Sequence, residues 1–543
     1  MAESVAEVVG AVLADLGVGH GFGVVGSGNF TVTNALRRHG VPFLAARHEG
    51  GAAAMADGYS RLGAVPAVLS LHQGCGLTNA MTGITEAAKS RTPMLVLAAD
   101  TASAAVNSNF RIDQAGLVES VGAVAERVHG PATAVADVLR AYSTAVNGRR
   151  TVVLNLPLDV QAADVEARPG TPRILATAPV RPAEAAVTAL VRLLRDADRP
   201  VFIAGRGARP AGPEIAALAG RCGALLATSA VANGLFAGNE FDLGISGGFA
   251  SPLAAELITG ADLIVGWGCA LNMWTLRHGA LVGPGTTVVQ IDDDQTALGR
   301  HRAVELGVLG DCAATATDVL AALDQDRRGY RTEEVSRRLA GGRWWNDTPT
   351  EDLGTGDRID ARVFSAELDR RLPAERVVAI DSGNFMGYPS AYLRVPDEQG
   401  FCFTQAFQSI GLGLGSGIGA ALAQPHRLPV ICTGDGGFQM AVSELDTAVR
   451  LGRPLLIAVY NDAAYGAEVH HFGPEADLGT VTFPDTDIAA IARGFGATAL
   501  TVRSVDDLGP LRSWADHPDG VLVIDAKIAV DGGSWWLAEA FGH

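Results

Sequence analysis

Cysteine is scarce in this chain of 543 residues: six, at 75, 222, 269, 312, 402 and 432, each standing alone with no CxxC pair. That spacing excludes a disulfide framework and a structural zinc site. Long apolar stretches are missing too. Runs such as 152–157 and 428–433 fall far short of the ~20 residues a membrane span needs. Basic residues are outnumbered, Lys+Arg 42 against Asp+Glu 59 for a net charge of −17, so a phosphate-backbone binder is excluded and nucleic acid is not an expected partner. Aromatics make up only 6%, and the 66 glycines follow no period of three, which rules out a collagen-like chain. Met1-Ala2-Glu3-Ser4 lacks the basic start and apolar stretch of a secretory leader. The expectation is an acidic, soluble, cytoplasmic protein without membrane association.

What the chain does contain is length and alternation. At about 100–150 residues per domain, three or four domains are expected. Short β-branched runs at 21–25, 67–71, 94–98, 151–156, 200–204, 263–266, 287–291, 377–380, 428–433 and 455–460 are continuously apolar. Such runs read as strands buried on both faces of parallel sheets. Between them, 4–16, 50–62, 79–89, 183–196 and 442–451 carry helical periodicity. The alternation predicts an α/β fold of three doubly wound parallel-sheet domains. Polar breaks at 160–185 and 324–358 place them at about 1–165, 183–325 and 358–543.

The sharpest local signal lies in the third domain. The strand at 428–433 runs into Gly434-Asp435-Gly436-Gly437, and the strand at 455–460 runs into Asn461-Asp462-Ala463-Ala464-Tyr465-Gly466. Two parallel strands thus bring Asp435 and Asp462 to the carboxyl edge, where doubly wound sheets bind ligands. Hard carboxylate oxygens suit Mg²⁺, which binds through one or two carboxylates plus phosphate oxygens. The glycine turn lets backbone approach a diphosphate and opens a helix whose N-terminus favours anions. Either half alone is a generic Asp-Gly turn; together, with 24 residues between Gly436 and Asn461, they are specific.

On these residues the chain resembles the thiamine-diphosphate enzymes of the pyruvate decarboxylase, benzoylformate decarboxylase and acetohydroxyacid synthase superfamily. Their signature is Gly-Asp-Gly, a gap of this length, then Asn-Asn; here Asp462 replaces the second Asn. The resemblance implies thiamine diphosphate with Mg²⁺ held by Asp435, Asp462 and the carbonyl of Ala464. It also implies diphosphate contacts from Gly383, Asn384, Gly434, Gly436, Gly437, Tyr465 and Gly466, and Ile410 as the bulky residue that bends the cofactor. The three domains become a pyrimidine-binding, a central and a diphosphate-binding unit. In the first, Arg47-His48-Glu49 leading into Gly58-Tyr59 is similar to the family's Arg-His-Glu motif. Alone, Glu49 reads as a capping or salt-bridge residue; the resemblance makes it the carboxyl that exchanges a proton with the aminopyrimidine. The central domain, with Ile291-Asp292-Asp293-Asp294 and Gly310-Asp311-Cys312, matches one that holds FAD, ADP or nothing. Its 200–207 segment lacks a full dinucleotide fingerprint, which disfavours FAD without deciding the matter.

The loop Leu71-His72-Gln73-Gly74 and the turn Gly26-Ser27-Gly28-Asn29 resemble the His and Ser loops of benzoylformate decarboxylase. The resemblance gives His72 an acid–base role and Ser27 the substrate carboxylate; read alone, they are a core histidine and a turn serine. Tyr465-Gly466-Ala467-Glu468 is similar to the pyruvate decarboxylase segment bearing a catalytic glutamate. Of the adjacent His470 and His471, only one can face the substrate. His278 is a further, central-domain candidate. At 109–114 the chain has Asn-Phe-Arg-Ile-Asp-Gln where the synthases place Phe-Gln-Glu, and Cys269–Trp274 replaces their flavin-side motif. The implied reaction is decarboxylation of a 2-oxo acid to an enamine, then protonation or carboligation. Acetolactate synthase-like condensation of pyruvate is one alternative. A nucleotide-binding α/β protein without lyase activity, using Gly26-Ser27-Gly28, is another, and a cofactor-binding but inactive scaffold a third. The resemblance further implies a homodimer or homotetramer with active sites at the subunit interface. Trp535 and Trp536 are read as docking the tail, with covering the pocket as the alternative.

Overall fold

The computed structural model describes residues 3–166, 173–175, 177–530 and 536. Three six-stranded sheets, parallel throughout, carry the fold. The first contains His20–Gly23, Phe43–Ala45, Ala67–Leu71, Met94–Asp100, Val124–Arg127 and Thr151–Pro157. Numbered along the chain, these lie side by side in the order 2-1-3-4-6-5. The third sheet, Arg376–Ile380, Phe401–Phe403, Leu428–Gly434, Leu455–Asn461, Thr498–Val502 and Val521–Lys527, repeats that order. The central sheet, Pro200–Ala204, Leu225–Thr228, Asp242–Ile245, Leu263–Trp267, Thr287–Asp292 and Leu306–Leu309, runs 3-2-1-4-5-6. A short antiparallel pair, Glu3–Ser4 with Asp164–Val165, ties the two ends of the first unit together.

Strands such as Ala67–Leu71 and Leu455–Asn461 are buried at every position, as sheets covered by helices on both faces require. The core is continuous between the first and third units: Met55, Leu69 and Val96 share one cluster with Ile418, Ile431 and Ile457. Glycine makes this contact possible. The helices Glu49–Leu62 and Gly413–Ala423 cross so closely that a Cβ on Gly58 would lie 2.3 Å from the Ser416 carbonyl oxygen. One on Gly419 would lie 2.0 Å from that of Met55.

A buried ionic junction joins all three units beside that crossing. Arg61 pairs with Asp57 and Glu86, both at 2.7 Å, and donates to the Phe403 carbonyl at 2.8 Å. Glu86 accepts the backbone N–H groups of Ala406 and Phe407 at 3.1 and 2.6 Å. From the central unit, Arg209 donates to the carbonyls of Arg61 and Glu398 at 2.9 and 2.8 Å. Unpaired, any of these buried charges costs several kcal/mol; the reciprocal pairing fixes how the units meet.

Several element bounds differ from the sequence reading. The helix read at 79–89 begins at Cys75, because Gly74 at φ 62° turns the chain into it. The strand read at 21–25 is His20–Gly23, and the helix read at 442–451 begins at Glu444, after a separate turn of helix over Asp435–Met440. Among the described residues, no helix is long and apolar enough to cross a membrane.

Candidate active site

Strands Leu428–Gly434 and Leu455–Asn461 are neighbours in register, Gly434 opposite Tyr460. Their carboxyl ends therefore deliver Asp435 and Asp462 to one place, and the two carboxyls hydrogen-bond each other. Burial pushes both above the ordinary carboxylate range, and the Asp435 charge pushes Asp462 the further. The loop beyond Asp462 is pinned. Asn461 is buried, donates to Asp525 at 2.8 Å and accepts the Ala463 N–H at 3.1 Å. Ala463 takes φ 56°, a strained value for alanine, and Asp462 accepts the Ala464 N–H at 3.2 Å. A bridge between Ala464 and Thr482 holds the other side.

A small cavity of about 50 Å³ opens there, with Asn384, Tyr388, Asp462, Ala464, Gly466 and His470 in its wall. The glycines around it are sterically required. A Cβ on Gly436 would come within 2.9 Å of the Tyr465 ring, and one on Gly466 within 2.2 Å of Asp462 Oδ2. One on Gly437 would come within 2.4 Å of Asp381 Oδ2. Two carboxylates, a nearby carbonyl and a side-chain-free floor fit a hard divalent cation with a diphosphate. Among the described residues no three His, Cys, Asp or Glu side chains converge as a metal site. A cation held there would take its remaining ligands from backbone, phosphate oxygens and water.

Asp381 organises this edge. Fully buried, it accepts N–H bonds from Ser382 (2.8 Å), Gly411 (3.1 Å) and Leu412 (3.2 Å) and the Thr433 hydroxyl at 2.9 Å. It thereby ties the Gly383 turn, at φ 137°, to the segment bearing half-buried Ile410. The helix Gly466–Phe472 separates the histidine pair. His470 lines the cavity, where burial lowers its pKa, whereas His471 is exposed and stacks edgewise on Phe472. Glu468 lies half-buried two residues before His470. Trp536 is buried against Tyr388, and its indole N–H donates to the Asn384 carbonyl at 3.2 Å. It supports the Asn384 turn, which agrees with the docking reading; Trp535 lies outside the described residues.

The other predicted residues gather at the carboxyl edge of the first sheet. Glu49 opens the helix Glu49–Leu62, is half-buried, and accepts the Asn79 amide at 3.0 Å. His72 packs edgewise on Phe110 at 5.1 Å. The Gly26 turn lies against it, since a Cβ there would be 2.6 Å from the imidazole. Buried Asn29 shapes that turn by accepting the Gly26 N–H and donating to Val24 and Ser70, leaving Ser27 exposed. Gly76 stands between His72 and Glu49, close to both. Within one chain, then, the residues form two clusters: Ser27, Glu49 and His72 on the first sheet, and Asp435, Asp462 and Ala464 on the third.

Sequence reasoning missed Glu444. Buried in the third unit, it accepts the backbone N–H groups of His48 (2.8 Å) and Arg47 (3.1 Å), and so holds the start of the Glu49 helix. Its only sequence signal was a carboxylate within an apolar helix face. In the 109–114 stretch, Gln114 is buried and bonds Gly74, Ala99 and Asn155. His278 sits exposed in a left-handed turn of the central unit. The central glycines are explained by packing, since a Cβ on Gly205 would meet the Gly268 carbonyl at 2.3 Å. Arg206 reaches the Ser90 carbonyl in the first unit. These features give no separate support for a flavin.

Three family models match in sequence. Thiamine pyrophosphate enzyme N-terminal TPP binding, central, and C-terminal TPP binding domains cover residues 3–119, 187–323 and 381–526. Together these matches define a thiamine-pyrophosphate-dependent enzyme, and the chain belongs to that family. Among its relatives is a sulfoacetaldehyde acetyltransferase of Alcaligenes xylosoxydans xylosoxydans, 27% identical over 91% of this chain and 87% of the relative. A probable 2-ketoarginine decarboxylase of Pseudomonas aeruginosa is 29% identical (95% and 93% covered). An acetolactate synthase of Bacillus subtilis is 26% identical (96% and 93%).

Proposed function

We propose that the chain is a thiamine-diphosphate- and Mg²⁺-dependent 2-oxo acid decarboxylase and carboligase whose active sites form between two copies. The observation that carries this is the convergence of Asp435, Asp462 and the glycine turns at the carboxyl edge of the third sheet. Asp435, Asp462 and the Ala464 carbonyl would hold the cation. Gly383, Asn384, Gly434, Gly436, Gly437, Tyr465 and Gly466 would receive the diphosphate, with Ile410 supporting the bent cofactor. When bound, thiamine diphosphate supplies a nucleophilic carbon and an electron sink for the pair released with CO₂.

The protein's own work is binding and proton handling. Glu49 would hold a proton at the aminopyrimidine, with Asn79 fixing one of its oxygens so that the other can face the ring. His72 would move a proton at the substrate oxygen, and the exposed Ser27 hydroxyl would donate to the substrate carboxylate. Glu468 would serve as the second acid–base group, since it and the cavity-facing His470 lie on different parts of the helix surface. Phe30, Phe110, Met440 and Phe472 are exposed large apolar side chains on these two edges. Their contact across two copies would exclude water. That arrangement supports a homodimer, or a homotetramer built from it, as the working unit, consistent with a soluble, cytoplasmic protein.

CO₂ release from a panel of 2-oxo acids, with Mg²⁺ and thiamine diphosphate, tests the reading. Turnover that collapses in Glu49→Gln supports it. The product then separates an aldehyde-forming decarboxylase from acetolactate synthase-like carboligation and from acetyl transfer of the kind the first relative's name indicates. Cofactor binding without turnover on any acid would refute the decarboxylation step.

A further inference from the structure

The second carboxylate is the unusual part of the cation site. Where the resemblance places a neutral asparagine, this chain places Asp462, and its geometry is set before any ligand arrives. One oxygen accepts the Ala464 N–H at 3.2 Å, and the other abuts Gly466, where a Cβ would sit only 2.2 Å away. The Asp435 carboxyl meets it directly. No lysine or arginine lines the adjoining cavity. Lys527, the basic residue at the end of the neighbouring strand, is committed to Asp485 and Asp525, at 2.5 and 3.0 Å. A buried carboxylate, Asp435, facing a half-buried one, Asp462, without a basic partner is a costly pair to hold as anions. A divalent cation neutralises both.

Resting on the function proposed above, we infer that the Asp435–Asp462 pair loads a divalent cation in the absence of the diphosphate, so that the cofactor docks onto a site already carrying its metal. Cation affinity of an oxygen site follows its ligand charge count. A site with one carboxylate and one amide must borrow charge from the diphosphate, and its cation and cofactor bind as a pair. A site with two carboxylates reaches neutrality with the cation alone. The same extra charge opposes the diphosphate anion, so Asp462 strengthens one ligand and weakens the other.

The test is Mn²⁺ titration of the cofactor-free protein by calorimetry, followed by thiamine diphosphate titration at saturating Mn²⁺. The parent should bind Mn²⁺ saturably without cofactor. In Asp462→Asn that affinity should fall by about tenfold or more, while cofactor affinity at saturating Mn²⁺ holds or rises. Generalised damage to the loop would loosen both ligands together and overturn the inference. Asp435→Asn reaches the same net charge from the other side and should lose cofactor-free Mn²⁺ binding by a comparable factor. Mn²⁺ that binds the parent only together with the diphosphate would refute preloading and leave the functional reading intact. Mn²⁺ bound tightly with no thiamine diphosphate binding under any condition would do the reverse.

Discussion

The first and third sheets share one strand order yet hold opposite kinds of chemistry at their carboxyl edges. On the third sheet the edge is closed and prepared: glycines that leave little room for a Cβ, a left-handed alanine, and a buried carboxyl, Asp435, facing half-buried Asp462. On the first it is open. Ser27 is exposed, Glu49 and His72 are half-buried, and Phe110 projects beside them. Topology explains why both edges can bind, since each has a switch point where strand order reverses. Side chains explain why they differ: under the proposed function one edge would hold charge rigidly and the other would exchange protons with a partner copy that covers it. The central sheet has the dinucleotide-type order 3-2-1-4-5-6, but its glycine loop is spent on packing.

The comparison can be broken at defined positions. Asp435→Ala should abolish cofactor-dependent turnover by about three orders of magnitude or more, because a cation ligand is lost, and equilibrium dialysis should show cofactor affinity falling with it. Glu49→Gln should cost about 10²–10⁴ in kcat while thiamine diphosphate still binds, which separates proton handling from anchoring. His72→Phe keeps the packing on Phe110 and should lower kcat by about ten- to a hundredfold with cofactor affinity unchanged.

Two further substitutions act on stability alone. Gly419→Ala should lower the free energy of urea unfolding by about 1–3 kcal/mol, since its methyl would press on the Met55 carbonyl at the crossing between the units. The central unit offers a control. Asp242 is buried with one N–H bond, from Gly244 at 2.9 Å, and burial raises its pKa to about 6. Between about pH 4, near its unfolded value, and pH 6, the folded chain holds a proton that the unfolded chain has lost. Its contribution is therefore fully present below pH 4 and is lost as pH rises through 6. Asp242→Asn should flatten that part of the pH–stability curve without touching cofactor binding.

The sequence reported most about residues whose role is local. Gly434-Asp435-Gly436-Gly437 and Asn461-Asp462 were legible because strand, turn and ligand lie within a few contiguous residues, and parallel pairing of two apolar runs brings them together. The α/β class was legible for the same reason. Glu444 was not, because its partners are the amides of Arg47 and His48, nearly four hundred residues away. Nor was the choice between His470 and His471, which depends on how the pinned Gly466 sets the rotation of a short helix. Short edge strands such as Phe43–Ala45 and Phe401–Phe403 offer too few residues for a period to emerge. The Cys75 helix start was masked by glycines that read as a turn.

The account's central claim is that the two clusters, separate in one chain, meet across two. Mixing the Glu49→Gln and Asp435→Asn chains under conditions that allow subunit exchange tests it most directly. In a mixed dimer, one of the two sites would combine an intact Glu49 with an intact Asp435. The account predicts that two inactive preparations regain about a quarter of parental activity at equal mixing. Mixed dimers that form, as shown by differential tagging, yet stay inactive would contradict it.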